Sequence, residues 1–353
     1  MPGRVVIFGW ADSVHVRRWV VGLKERGFDI RLISLGGEPL HGTDSFCLPR
    51  KGRWSYFRQA GTAVRLAREF KPDLVHVHYA GGFGYWGTRC DFAPVLVSVW
   101  GADVVDLPRN PIQRFFIRRT LKRADRISAT SEFLKQVSAN LIPGVEQKIS
   151  VIPFGVTVPD SVTPIPPPPA RLCFIKAHRR KYGPDILLRA FAQVREQLPE
   201  IHLTMAGEGE LTPELKRIAS ELGVERDVDF VGFVPNQRIY SLLQQHHMMV
   251  MPSVMESESF GVAVLEASAC ARPVIASRVG GVSEVLKDGR TGLLLPAGDV
   301  ETLAVAIIKL AQDRNMCERM GNAGREFVRT NYRWELSLDL MSSLYERLIH
   351  GKE

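Results

Sequence analysis

Glu258 and Glu266 stand with seven residues between them in the stretch 251–272, MPSVMESESFGVAVLEASACAR. Ser259-Phe260-Gly261 lies between them, followed by an apolar run fit to start a helix near Val262. A helix beginning there turns its first unbonded N–H groups and the positive end of its dipole toward an incoming anion. Glu266 then follows about four residues on, roughly 6 Å along the axis at 1.5 Å per residue. A loop carrying one carboxylate and a helix carrying the other suit a ligand with hydroxyls at both ends and phosphates in the middle, as a nucleotide sugar has. Taken alone, the same spacing also fits a surface loop before a buried helix with two solvated acids. The surrounding elements have to decide.

The chain has 353 residues, enough for two domains. Its 45% apolar and 24% charged content are those of a soluble globular protein. No apolar run approaches the roughly 18 residues of a membrane span, and the N-terminus reads as a buried strand, not a signal peptide. The five cysteines (Cys47, Cys90, Cys173, Cys270, Cys317) are scattered and free of C-x-x-C spacing. That argues against a disulfide framework or a structural zinc and for a cytoplasmic location. The net charge is +8, unevenly spread: residues 1–158 hold 23 Lys/Arg against 13 Asp/Glu, the remainder 23 against 25. A one-sided basic surface suits an anionic partner: membrane headgroups, nucleic acid or a phosphate-bearing substrate.

In the first half, Arg4-Val5-Val6-Ile7-Phe8-Gly9 reads as a buried parallel strand ending in a turn. Residues 15–26 have helical spacing with Val16, Trp19, Val20 and Leu23 on one face, and 29–34 form a second strand. This β-α-β unit argues a doubly wound sheet, without the G-x-G-x-x-G dinucleotide fingerprint. A basic helix is expected over 50–71, then strands over 73–78 and 95–99, the latter ending at Trp100-Gly101-Ala102-Asp103. Ligands of such sheets bind beyond the carboxyl ends of the strands, which puts Gly9, His78 and Asp103 on one rim. His78 and Asp103 are acceptor-site or catalytic candidates, or else a strand cap and a helix cap. The basic helix expected over 112–126 carries Phe115, Phe116, Ile117 and Leu121, a stripe that either lies on a membrane surface or packs on the sheet. Strands over 127–131, leading to a capped helix, and over 149–153 complete this half.

Residues 159–170, PDSVTPIPPPPA, mark the clearest boundary. Such proline density suits a semi-rigid extended connector and no sheet interior. The pattern then restarts, with strands over 172–175, 202–206, 228–231, 248–251 and 273–276 and helices over 184–198 and 211–222. The expected domains are 1–158, a connector 159–170, 171–333, and a C-terminal helix within 334–353 that crosses back to the first domain.

In order along the chain stand Val99-Trp100-Gly101-Ala102-Asp103, Val151-Ile152-Pro153-Phe154-Gly155-Val156, Ala206-Gly207-Glu208-Gly209, Phe230-Val231-Gly232-Phe233, Pro252-Ser253, the Glu258/Glu266 pair, Pro273-Val274-Ile275-Ala276-Ser277, Gly280-Gly281 with Glu284, and Asp288-Gly289 with Thr291-Gly292-Leu293-Leu294. This set covers nearly the whole chain and resembles the retaining glycosyltransferase family 4 (glycosyl transferase group 1). The resemblance implies the GT-B architecture, an α/β fold of two Rossmann-like doubly wound domains facing across a cleft. It implies that Glu266 binds the donor ribose hydroxyls and that Glu258 holds hydroxyls of the transferred sugar near the reacting carbon. Backbone N–H groups from Phe260 through Gly261 and Val262 to Ala263 would hold the diphosphate, with Ser259 also at the donor, while Gly207, Gly232 and Phe233 would line the donor pocket. Donors placed where leaving-group charge develops stabilise the transition state. Front-face substitution, with the leaving phosphate helping to deprotonate the acceptor, would need no covalent carboxylate nucleophile, unlike most retaining glycosidases.

Three departures shape the expectations. Lys176 stands where the family's phosphate-gripping Arg is expected and Tyr182 where its Lys is, so the expected cations are Lys176 and Lys181, with Arg179 as substitute. Trp100 replaces a His common near the reaction centre, leaving His78 or Asp103 to shape that place. The glycine pair after the first strand is reduced to Gly9-Trp10-Ala11, and acceptor contact is expected at Gly9 and Trp100. Asp227-Val228-Asp229 is formally D-x-D but enters a strand and reads as loop polarity, so no metal is expected. The expected activity is retaining transfer of a hexosyl-type sugar from a UDP- or GDP-sugar, with no other cofactor. The acceptor would be a glycan or lipid-linked molecule of surface polysaccharide or glycolipid biosynthesis, met at the inner face of the cell membrane. An anionic membrane surface is an expected partner and nucleic acid is not. The alternative activity is a nucleotide-sugar epimerase of the same architecture.

Overall fold

The computed structural model describes residues 3–52 and 54–351. Arg53, inside the expected basic helix, and Lys352 and Glu353, at the end of the expected C-terminal stretch, lie outside the described residues. The chain divides into two compact units, Met1–Pro153 with Glu335–Glu353, and Phe154–Trp334.

The first unit holds strands β1 (Arg4–Phe8), β2 (Asp29–Leu35), β3 (Asp44–Leu48), β4 (Leu74–His78), β5 (Val95–Val99), β6 (Arg126–Ala129) and β7 (Ile149–Val151). They form one parallel sheet in the order β3-β2-β1-β4-β5-β6-β7. The inner strands are apolar without alternation because both faces are covered. Val6, Phe8, Val75, Val77 and Val97 share one core with Ala60, Ala63, Phe83, Trp86, Ile117 and Leu121 of the helices Ser55–Glu69, Gly82–Gly87 and Pro111–Arg123. On the opposite face of β4, His76 Nδ1 meets the hydroxyl of Tyr345 at 2.5 Å, from the C-terminal helix Trp334–His350.

Two helix ends and one strand differ from expectation for a clear local reason. The basic helix expected from residue 50 starts at Ser55, whose Oγ accepts the Lys51 N–H at 2.7 Å and donates to the Gly52 carbonyl at 2.8 Å, closing a turn. The helix expected to reach residue 126 stops at Arg123, because Asp125 accepts the Val95 N–H at 2.7 Å and Arg126 opens β6. Strand β3 was not expected: it lies at the sheet edge with only Leu48 buried, so it carries no apolar run to read.

The second unit holds β8 (Arg171–Ile175), β9 (His202–Ala206), β10 (Val228–Gly232), β11 (Met248–Met251), β12 (Val274–Ser277) and β13 (Gly292–Leu295). The parallel order β10-β9-β8-β11-β12-β13 is the 3-2-1-4-5-6 order of doubly wound nucleotide-binding sheets. The strand order reverses between β8 and β11, which opens a crevice beyond their carboxyl ends.

Residues 159–170, expected as a connector, are strapped onto this unit by three arginines. Arg272, 1% exposed, donates to the carbonyls of Thr163 at 3.1 Å and Pro164 at 3.2 Å. Arg314 holds the carbonyls of Ile165 at 2.6 Å and Pro166 at 2.8 Å, and Arg325 those of Pro159 and Asp160. Ile165 is buried in the unit's core. Prolines lack the N–H that a sheet requires but keep the carbonyl, and a guanidinium offers five donors to collect such carbonyls.

Candidate active site

The reversal point of the second sheet is where the predicted charges meet. Lys176 follows β8 directly. The loop 252–261 follows β11 and carries Glu258 into the helix Val262–Ala269, which Gly261 enters in a left-handed conformation at φ 88°. Lys176 Nζ lies 2.9 and 3.0 Å from the two carboxylate oxygens of Glu258. The side chains are 17% and 8% exposed, so the pair is largely withdrawn from water. Burial pushes the Lys176 ammonium toward neutrality, but the charges of Glu258, Tyr182 and Glu266 outweigh it and hold its pKa above the ordinary value. Both carboxylates therefore act on one ammonium. The Tyr182 ring lies 4.9 Å from Lys176 Nζ and 4.7 Å from Lys181 Nζ, so both cations contact one ring. Arg179 is exposed just before the turn Arg180–Tyr182.

The Val264 and Leu265 N–H groups bond back to the Gly261 carbonyl at 2.9 and 3.4 Å. Val262 and Ala263, earlier in the same first turn, carry the N–H groups that no helical carbonyl can reach, at the positive end of the dipole. Phe260 contributes only its backbone here. Its ring is buried between Phe154, at 6.2 Å, and Tyr332, at 5.9 Å. Ser259 is also buried.

The loop's path is imposed by Gly280-Gly281, after β12. Gly280 donates to Glu256 Oε2 at 2.6 Å and Gly281 to the Glu258 carbonyl at 3.3 Å. A Cβ on Gly280 would lie 2.2 Å from the Glu258 carbonyl oxygen, and one on Gly281 2.1 Å from that of Ser259. Only glycine lets the backbones approach so closely. Sequence reasoning gave no role to this pair or to Glu256, although the glycine doublet was the signal for a close approach. Gly207, at the end of β9, presses on the Lys176 carbonyl in the same way, with 2.0 Å left for a Cβ, and donates to the Gly232 carbonyl at 2.8 Å. The register of β10 shifts between Phe230 and Gly232, turning Val231 and Phe233 outward. Phe233 is 72% exposed and, with Val231, Pro235 and Arg238, lines a groove of about 440 Å³. His178, also without an assigned role, is fully buried with Nδ1 on Thr212 Oγ1 at 2.9 Å and Nε2 unpartnered. Burial pushes its pKa below the ordinary value, against the opposing charge of Glu208.

In the first unit, Gly9, His78 and Trp100 lie at the ends of the adjacent strands β1, β4 and β5, and Asp103 opens the short helix Ala102–Val105. Asp103, expected as a catalytic or acceptor-site candidate or else a helix cap, is held by backbone N–H groups. It is fully buried, with Oδ2 accepting the Ala80 N–H at 2.9 Å and Oδ1 those of Trp100 and Gly101 at 3.0 and 2.9 Å. It clamps two strand-end loops and meets no solvent. Burial raises its pKa, opposed by those backbone N–H groups. His78, the other catalytic or acceptor-site candidate, lies in the interior. It is 1% exposed, 4.9 Å from the Trp100 ring, and 3.2 Å from His76 Nδ1 through Nε2. Burial, and secondarily the charge of His15, drop its pKa to about 3. Trp100 is half-buried, and Gly9 is buried, packed on Val16 and His78. Among the described residues, no group of three or more His, Cys, Asp or Glu gathers as metal ligands. Asp227 of the D-x-D pairs with Arg195 at 2.6 Å.

Comparison with known proteins decides the family. Residues 160–327 match the family model "Glycosyl transferases group 1" and residues 4–131 match "Glycosyl transferase 4-like". A D-inositol 3-phosphate glycosyltransferase of Kribbella flavida is 30% identical over 349 residues, covering 90% of this chain and 81% of that protein. The chain belongs to the group 1 glycosyltransferases. A GDP-mannose-dependent alpha-(1-6)-phosphatidylinositol monomannoside mannosyltransferase of Mycolicibacterium smegmatis is 31% identical over 246 residues, 64% of this chain and 63% of that one. Among solved structures, HepE of Anabaena with UDP-glucose superposes with a TM-score of 0.85 at 17% identity, covering 98% of this chain and 100% of that one. The fold is therefore that of GT-B glycosyltransferases, built from two Rossmann-like parallel-sheet domains. The protein is a glycosyltransferase.

Proposed function

We propose that this glycosyltransferase takes a UDP- or GDP-sugar and passes the hexosyl-type sugar, with retention, to a glycan or lipid-linked acceptor of surface polysaccharide or glycolipid biosynthesis at the inner face of the cell membrane. The observation that carries the reading is the Lys176–Glu258 pair at the N-terminus of helix Val262–Ala269. A diphosphate placed on the Val262 and Ala263 N–H groups competes with Glu258 for Lys176. Lys181, on the same Tyr182 ring, is the second cation. The displaced Glu258 carboxylate is then free to accept hydroxyls of the transferred sugar, and Glu266 those of the ribose. The base would lie along the groove at Val231 and Phe233. The acceptor oxygen bonds to the anomeric carbon on the face from which the phosphate oxygen departs, and the acceptor proton passes to that phosphate. The accumulating phosphate charge meets fixed N–H dipoles and ammonium groups that need no reorganisation, and no bound metal is required. The UDP-glucose complex of HepE and the GDP-mannose and phosphatidylinositol in the mannosyltransferase's name support the donor and acceptor classes. Among the described residues no helix is long and apolar enough to cross a membrane.

A thermal-shift panel of nucleotide sugars identifies the donor, since a ligand bound only to the folded state raises its stability by mass action. Glu258→Gln and Glu266→Ala are then expected to lower transfer by at least about 100-fold with circular dichroism unchanged. Near-normal turnover in both variants would overturn the site. An inverted anomeric product, read by NMR, would overturn retention. An epimerised nucleotide sugar formed from donor alone would replace the transferase reading.

A further inference from the structure

One basic helix of the first unit exposes cations beside large apolar side chains. Helix Pro111–Arg123 buries Ile117, Thr120 and Leu121 and leaves Ile112 68% and Phe115 62% exposed. Beside it, Trp54 is 57% and Phe57 37% exposed at the start of helix Ser55–Glu69. The two sets are continuous. Ring centroids run from Trp54 to Phe57 at 5.7 Å, Phe57 to Phe116 at 5.4 Å and Phe116 to Phe115 at 5.6 Å. Exposed aromatic and aliphatic side chains in one patch mark a surface that something covers.

The charge around the patch names the partner. The helix has no acidic residue, and its exposed cations Arg118, Arg119, Lys122 and Arg123 line a shallow cleft of about 330 Å³ with Phe115. Among the described residues, none of these four is ion-paired. Ile112 and Phe115 lie on its first turns together with the exposed Arg114, and the other cations on its last two. An anionic lipid bilayer is complementary to both ends: apolar side chains enter the headgroup–acyl boundary, and cations remain at phosphate level. We infer that this face docks the protein on an anionic bilayer, with Trp54, Phe57, Ile112 and Phe115 inserted and Arg118, Arg119, Lys122 and Arg123 on lipid phosphates. The inference rests on the functional reading above only for its purpose, an acceptor met at a membrane.

The full chain is sedimented with vesicles of phosphatidylcholine alone and of phosphatidylcholine mixed equally with phosphatidylglycerol. Binding is expected to the mixed vesicles only and to weaken as salt rises. Replacing Arg118, Arg119 and Lys122 by Ser together is expected to reduce partition about 100-fold, at roughly fivefold per cation. Trp54→Ser with Phe115→Ser is expected to reduce it at least about tenfold through lost apolar burial. Lys216→Ser with Arg217→Ser, exposed in the second unit, should leave it unchanged. No binding to mixed vesicles at low salt overturns the inference. So does an equal loss in the Lys216/Arg217 variant, or aromatic replacements without effect, since either would mean diffuse charge attraction. Tight binding of a DNA duplex that survives Trp54→Ser with Phe115→Ser would assign the face to nucleic acid instead. Vesicle binding without any nucleotide-sugar thermal shift would leave the docking face standing and remove the functional reading.

Discussion

In the first unit the strand order reverses between β1 and β4, where Gly9 and His78 meet; in the second it reverses between β8 and β11, where Lys176 and Glu258 meet. The topology offers the same crevice twice. In the first, packing fills it: Gly9 lies on Val16 and His78, His78 on Trp100, and Asp103 is committed to three backbone N–H groups. In the second, glycines bring backbones together, while the side chains that remain are charges whose mutual contacts a ligand can exchange. A shared fold therefore fixes where a site can be, and the local balance of burial and charge decides whether it is one.

Three experiments press on that contrast, beginning with the largest effect. Asp103→Ala strands three buried N–H groups and is expected to lower unfolding free energy by about 3 kcal/mol in urea, with nucleotide-sugar binding unaltered. A stable Asp103→Ala protein that had lost turnover would restore a catalytic part to the first rim. Gly281→Ala puts a Cβ against the Ser259 carbonyl. It is expected to cost about 1–3 kcal/mol and to remove donor binding, because the Glu258 loop must move. Unchanged donor affinity by calorimetry would mean that the loop is not held by its cradle. The smallest effect is a pH dependence. His78 titrates near 6.5 when unfolded and about 3 when folded, so its neutral form belongs to the fold. Its contribution is complete above pH 6.5 and declines as pH falls toward 3, by at most about 2 kcal/mol at pH 5. In His78→Asn, the loss of stability between pH 7 and pH 5 should shrink by up to that amount. Parallel curves for both proteins would show that the histidine charges freely and that its crevice is open to water.

The inner strands were legible because burial on both faces makes them plain apolar runs, as in Val5-Val6-Ile7-Phe8 and Met248-Met249-Val250-Met251. Strand β3 was not, since an edge strand with one buried residue leaves no pattern. Helix ends were misjudged where a side chain decides them, as Ser55 and Asp125 do. At the site, the spacing of Glu258 and Glu266 was visible, and the family motifs brought Lys176 into view. The ion pair between Lys176 and Glu258, 82 residues apart, is a product of β8 and β11 lying side by side. The burial of Asp103 was equally out of reach, because an acid before a short helix looks the same whether it meets water or three backbone donors.

The prolines of 159–170 look like the natural place to sever the protein. Proteases need a backbone they can lift away, and here six consecutive or near-consecutive carbonyls are gripped by Arg272, Arg314 and Arg325. A second half produced from residue 171 onward would leave the three guanidinium groups without those acceptors and uncover the pocket of Ile165. A free-standing second half therefore has to keep the segment from Pro159 onward, and nicking enzymes should find it among the hardest of the irregular stretches to cut.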